Sequence, residues 1–388
     1  MTTNIFPFDK RFQEVFAGEG EVMALTKEGI ATFPMLLGSS LWLATAPYGI
    51  GPRTLFANEE GDRLRLDCGW ISSMAFPNAF AYQTHEYAAC AVRASCAFAA
   101  SEISKALFSS ESFFPALGDP SVGKQRSTMG APLGFLHWKG PATLSAEERD
   151  EYYRGLDEMC PIRKEAAYLL AVSFLEYIWH HEFVHVLRGH TAFRFKSKGL
   201  PCRLNERIDG AGADNVNDST RRVFCEYAAD NRAAFSLLYP DSFETIENGH
   251  FCPSVEKRDR LTIRMLAPIL TAMVWVVADV LETGTLDLTP EIKLNQTHPN
   301  SALRLYATTN CTIGHADRFY GEEGIQGFKR AGEEIINIGK VDPSYAGLVD
   351  LFSNAVGAAY KEQNERMKEL SAVYSPQYKT MAYTPVGV

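Results

Sequence analysis

The chain has 388 residues, 46% of them hydrophobic, enough to bury one large core or two medium ones. A net charge of −9 and an isoelectric point near 5.6 argue against a general nucleic-acid binder. Met1 to Lys10 lacks the basic and apolar stretches of a secretory signal. The eight cysteines show no Cys-x-x-Cys spacing, so reduced thiols in a cytoplasmic protein are expected.

In chain order, Leu41–Thr45 and Arg63–Asp67 read as short strands, with Asn58-Glu59-Glu60-Gly61 as a hairpin turn. Tyr87 to Phe108, rich in small residues, reads as a packed helix. Residues 109–143 read as loop, and Ser145-Ala146-Glu147-Glu148 opens another helix with a capping box. These segments together predict a mainly helical α+β fold with a small N-terminal β-sheet. It divides into an N-terminal α+β region, 1–125, and a helical region, 126–388, which can also form one continuous domain.

The segment from Ile162 to Gly189 carries apolar residues at helical spacing and no Pro or Gly before Gly189, a natural end signal. Within it, His181-Glu182-Phe183-Val184-His185 places two imidazoles one turn apart on one face. They can grip one metal ion while Glu182 leans toward an open coordination position. A third histidine at the spacing of a metzincin is absent, because Thr191 stands there and Arg188 replaces the expected glycine. The connection Thr191–Asp218 reads as a long loop. Its basic first half (Arg194, Lys196, Lys198, Arg203, Arg207) is either a solvated surface or a guide for acidic substrate segments.

Ser219 can cap the next helix, which Pro240 stops. Glu226 and Asp230 share one face of it. Glu226 can complete a two-His, one-Glu set, and Asp230 can accept a hydrogen bond from the far nitrogen of His181. The plainer reading is an exposed acidic pair. Cys225 points elsewhere and reads as packed. Met265–Leu281 is apolar but shorter than the ~20 residues of a membrane span, and it holds Pro268 and Asp279, so a core helix is expected. Thr297 and Pro299 mark another helix start, from which His298 can donate to an oxyanion and Arg304 can brace the site. Residues 343–374 read as helix and 375–388 as a loose tail.

The order His-Glu-x-x-His-x-x-x-Gly-His, Glu-x-x-Ala-Asp, Thr-His-Pro-x-x-x-x-Arg, covering about 180–305, resembles the gluzincin metallopeptidases of the CAAX-prenyl-protease and HtpX type. Soluble phage-exclusion (Lit-type) peptidases carry the same zinc signature. The resemblance implies a zincin-like core and Zn2+ held by His181, His185 and Glu226. Glu182 would be the general base, Asp230 would support the ligands, and His298 with Arg304 would flank the cleft. The expected activity is hydrolysis of a protein or peptide substrate. The alternative is a binding or regulatory protein with a structural zinc site. Such a site would take a fourth protein ligand: His180 faces the wrong way, and His190 stays open.

Overall fold

The computed structural model describes residues 10–23, 32–45, 55–73, 77–122, 159–198, 202–205, 216–242, 244, 252–283, 300–341 and 357–386. The structure is mainly helical, with one six-stranded mixed sheet, consistent with an α+β class. The strands are β1 (Leu55–Ala57), β2 (Arg63–Ile71), β3 (Ala79–Gln83), β4 (Tyr87–Arg93), β5 (Cys202–Asn205) and β6 (Thr384–Val386). They lie in the order β5-β3-β4-β2-β1-β6. Only β2 and β4 pair in parallel.

The expected hairpin is present. β1 and β2 run antiparallel across the Asn58–Gly61 turn, where Gly61 takes φ +84° and donates its N–H to the Asn58 carbonyl at 3.1 Å. Two other expectations fail. Leu41–Thr45 is not a strand but the end of helix α2 (Thr32–Thr45), where the Thr45 hydroxyl donates back to the Leu41 carbonyl at 2.8 Å. Five residues are too short a window to separate the two periods. Tyr87–Arg93 is a strand, and only Ala94–Phe108 is helix (α3). In β4, Ala88, Cys90 and Val92 face the main core, while Tyr87, Ala89 and Ala91 face a second cluster built on Phe12 and Phe16 of α1 (Lys10–Phe16). A strand buried on both faces loses the polar alternation that would identify it.

Helix α4 (Pro161–Leu187) is the axis of the molecule, buried along almost its whole length. Pro161 at its first turn is preorganised for the helix, and Arg188 and Gly189 (φ +79°) close it as expected. Gly189 is required twice over, because a Cβ there would also lie 2.9 Å from the backbone of Met381. The helix packs on α3 and on β3 and β4. Trp179 meets Trp70 of β2 edge-on at 5.3 Å and stacks on Phe183 at 5.6 Å. Losing a fully buried Trp179 to alanine costs about 3–5 kcal/mol.

Beyond α4, helix α5 (His190–Lys198) and strand β5 occupy ground expected to be loop. Lys196 is not available to guide substrate, since it pairs with Glu60 and lies 2.9 Å from Asp62. Helix α6 (Val216–Leu238) starts before Ser219. Helix α7 (Lys257–Thr283) buries Met265 to Met273 and Val276 against α4 and its neighbours, as a core helix does. Helix α8 (Ser301–Tyr320) is capped by Asn300, whose side chain accepts from the N–H of Ala302 at 2.9 Å. A carboxamide next to the first helical residue satisfies orphan N–H groups of the first turn. Helices α9 (Glu322–Val341) and α10 (Gly357–Lys379) follow. The expected loose tail is instead the end of α10 followed by β6, which pairs with β1, and Tyr383 is buried.

The sheet therefore takes strands from both ends of the chain, and one hydrophobic core contains residues from either side of 125. No helix among the described residues is long and apolar enough to cross a membrane. Cys68, Cys90, Cys96, Cys160, Cys225 and Cys252 are free and buried, and Cys311 is free and partly exposed. Residues 123–158, with the Ser145–Glu148 capping box, and Thr297, His298 and Pro299 lie outside the described residues.

Candidate metal centre

His181, Glu182 and His185 sit on consecutive turns near the end of α4, each about 1% exposed. Helix α6 packs against this stretch and brings Glu226 to it. The Glu226 carboxylate lies 3.1 Å from His181 Nε2 and 3.4 Å from His185 Nε2, and the two Nε2 atoms are 3.0 Å apart. The pair read from sequence as exposed or ligating is thus buried, with Glu226 5% and Asp230 3% exposed.

The outer side of each imidazole is also engaged. Asp230 Oδ1 lies 2.9 Å from His181 Nδ1. The same carboxylate accepts two hydrogen bonds from Arg304, both 2.7 Å, and one from the Tyr177 hydroxyl at 3.1 Å. Arg304 in turn lies over the Trp275 ring at 5.6 Å. Burial works to raise the Asp230 pKa, but the Arg304 charge and His181 outweigh it and hold the carboxyl below its usual range. A carboxylate in that position keeps the proton of His181 on Nδ1 and leaves the Nε2 lone pair facing Glu226.

His185 is supported differently. Its Nδ1 lies 3.2 Å from Nδ1 of His190, the first residue of α5. Burial first, then the neighbouring His185, holds His190 well below the usual histidine pKa. A neutral His190 can accept from His185 through Nδ1, which again leaves Nε2 of His185 as a lone pair. Thr191 donates to the Gln83 side chain at 2.6 Å and lies 3.1 Å from the His185 carbonyl. Gln83 donates to the Tyr383 hydroxyl at 3.0 Å, and the Tyr383 N–H donates to the Leu187 carbonyl at 2.8 Å. The corner after the motif is thereby tied to β3 and to the C-terminal strand.

Three inward-facing electron-pair donors, two nitrogens and a carboxylate oxygen, converge with no proton required by their outer partners. The three atoms lie within 4.8 Å of one another, and the group is suited to a cation. A point equidistant from them in their plane is ~1.8 Å from each, close to the bonds of about 2.0–2.2 Å that nitrogen and carboxylate ligands make to zinc, so these three residues would hold such an ion. His190 is no fourth ligand, because the nitrogen that faces the cluster meets the far side of His185. His180 is turned away, 3.4 Å from Glu176, which Arg264 holds in a bidentate pair at 2.8 and 3.0 Å. Cys225 packs with its thiol 3.3 Å from the Tyr378 hydroxyl.

His181, His185, Glu226, Asp230 and Arg304 are therefore brought together as their spacing suggests, with Glu182 beside them on α4. His298 falls outside the described residues. Sequence reasoning missed Tyr177 and the supporting position of His190. Tyr177 carried a signal, since it precedes His181 by one helical turn and shares its face. His190 carried none, because its direction depends on how the chain turns at Gly189.

No family model matches the chain, and neither a curated protein nor a solved structure matches it.

Proposed function

We propose that the chain is a zinc-dependent endopeptidase of gluzincin type, with His181, His185 and Glu226 as the metal ligands. The observation that carries this reading is the convergence of those three donor atoms at 3.0–3.4 Å, with Asp230 and His190 behind the two rings. Two nitrogens and one carboxylate are the ligand set of many catalytic zinc sites. Bound zinc would polarise a peptide carbonyl and lower the pKa of a coordinated water.

Glu182, adjacent to the first ligand, would take a proton from the attacking water and return it to the leaving amide nitrogen, so the net reaction would add one water across the bond. Asp230 and Arg304 fix the orientation of His181. His298 is the proposed donor to the substrate oxyanion. A protein or peptide substrate and a zincin-like core belong to the same proposal, as does kinship with the CAAX-prenyl-protease, HtpX or Lit types.

The deep burial of the cluster favours a second reading, a structural zinc in a protein without catalysis. One experiment separates the two. Zinc per chain is measured by mass spectrometry, and cleavage is measured on a peptide library, for wild type and Glu182→Gln. The peptidase reading expects both proteins to hold zinc and the variant to lose about 100-fold or more in cleavage. A variant that cleaves at the wild-type rate removes Glu182 from the mechanism. Zinc in a wild type that cleaves nothing leaves the structural site.

A further inference from the structure

Beside the metal cluster, but separate from it, lies a cavity of ≈ 750 Å³ between the C-terminal end of α4, helix α6 and helix α10. That is the volume of a site for a small organic ligand. None of the three proposed metal ligands lines it, so its occupant does not depend on the metal reading.

Its wall is mostly apolar, with Val184, Phe224 and Tyr378 contributing the largest side chains. Three cations line it as well, Arg188, Arg232 and Lys379, and among the described residues no acidic side chain does. Arg188 and Lys379 make no ion pair within the described residues. A lining with three cations and, among the described residues, no acid, around an apolar space, favours a negative ligand with an apolar body.

A second observation comes from His190, which also lines the cavity. The residue is only 4% exposed, its Nδ1 is engaged by His185, and Nε2 has no hydrogen-bond partner among the described residues. In the tautomer whose Nδ1 accepts from His185, Nε2 carries the hydrogen and can donate to an oxygen in the cavity. The Tyr378 ring holds this imidazole edge-on at 5.1 Å and forms part of the same wall.

We propose that this cavity binds an apolar carboxylate. The aliphatic or aromatic body packs against the wall formed by Val184, Phe224 and Tyr378, and the carboxylate is held by the three cations beside His190. The chemistry is shared by a free small acid and by the C-terminus of a peptide ending in an apolar residue.

Isothermal titration calorimetry on the full chain tests this, with EDTA present so that metal chelation by the probe contributes nothing. 4-Phenylbutyrate is compared with 4-phenylbutanamide and 4-phenylbutylamine, which keep the body and change the head group. The expected result is one saturable site for the acid, about tenfold weaker binding of the amide, and none for the amine. Arg188→Ala with Arg232→Ala should bring the acid down to the amide. Ala228→Trp, which fills the cavity from α6, should abolish binding. Ser375→Trp, on exposed α10, should do the same from the opposite wall and decides the matter if the first variant does not fold.

The tripeptide acetyl-Ala-Ala-Phe, with free or amidated C-terminus, separates the two sources. Tighter binding of the free form than of phenylbutyrate indicates a chain terminus, and weaker binding indicates a free acid. The proposal is overturned if the acid does not bind, if all three head groups bind alike, or if the folded tryptophan variants bind as wild type does.

Discussion

Replacing Glu226 by glutamine should shift stability in opposite directions with and without metal. In the wild type the carboxylate sits 3.1 and 3.4 Å from two imidazole nitrogens whose outer partners leave them as electron-pair donors. An ion that binds only the folded chain adds about 4 kcal/mol at a thousandfold excess over Kd. At about 2 °C per kcal/mol for a long chain, that is roughly 8 °C in Tm. Chelation removes this and leaves three donors facing one another. Glutamine cannot serve as a charged ligand, but its amide N–H can donate to one of the imidazoles, worth about 1 kcal/mol. With zinc the variant should therefore melt several degrees below the wild type, and with EDTA ~2 °C above it. Differential scanning fluorimetry with added zinc and with EDTA reads both signs. A variant with the full wild-type zinc shift would remove Glu226 from the ligand set. A wild type whose Tm ignores zinc and chelator alike would sink the metal centre itself.

Three further expectations concern the surrounding structure. Because Asp230 has a depressed pKa in the folded state, its contribution is complete above the unfolded value of about 3.9 and is lost as pH falls through the lower folded value. In urea melts with chelator present, the stability gap between wild type and Asp230→Asn should shrink from pH 5 to pH 3, and a widening gap would contradict the linkage. Arg264→Met strands the fully buried Glu176 and should cost about 3–5 kcal/mol, while Glu176→Met with Arg264→Met should recover most of it. Equal losses in single and double variants would refute that account. Arg163, 1% exposed, donates to the carbonyls of Phe108, Ser110, Phe113, Phe114 and Leu117. Arg163→Met should cost at least about 3 kcal/mol and open residues 109–117 to limited proteolysis, and unchanged resistance there would show that the arginine does not hold this segment.

The parts of the site that could be read in advance are those whose geometry closes within one helical turn. The spacing of His181 and His185, the shared face of Glu226 and Asp230, and the glycine stop at Gly189 follow from helix periodicity and capping alone. Their meeting across two helices was suggested by chemistry, since a pair of buried histidines and a pair of acids each need partners. Misreadings fell where the deciding partner is distant in sequence. Tyr87–Arg93 looked helical because both its faces are covered, and Thr384–Val386 looked loose because its partner strand is Leu55–Ala57.

The sequence by itself determined a helix carrying a complete metal-binding spacing, a second helix with two acids on one face, and an apolar content sufficient for a large core. Only the tertiary structure decided that Asp230 would be shared between His181 and Arg304, and that His190 would stand behind His185. It also decided that a cavity with a positive lining would open on the other side of that histidine. The physical reason is range: periodicity and capping act over a few residues and leave their mark in the letters. Hydrogen-bond partners across elements, and the space left between them, exist only once the chain has closed on itself.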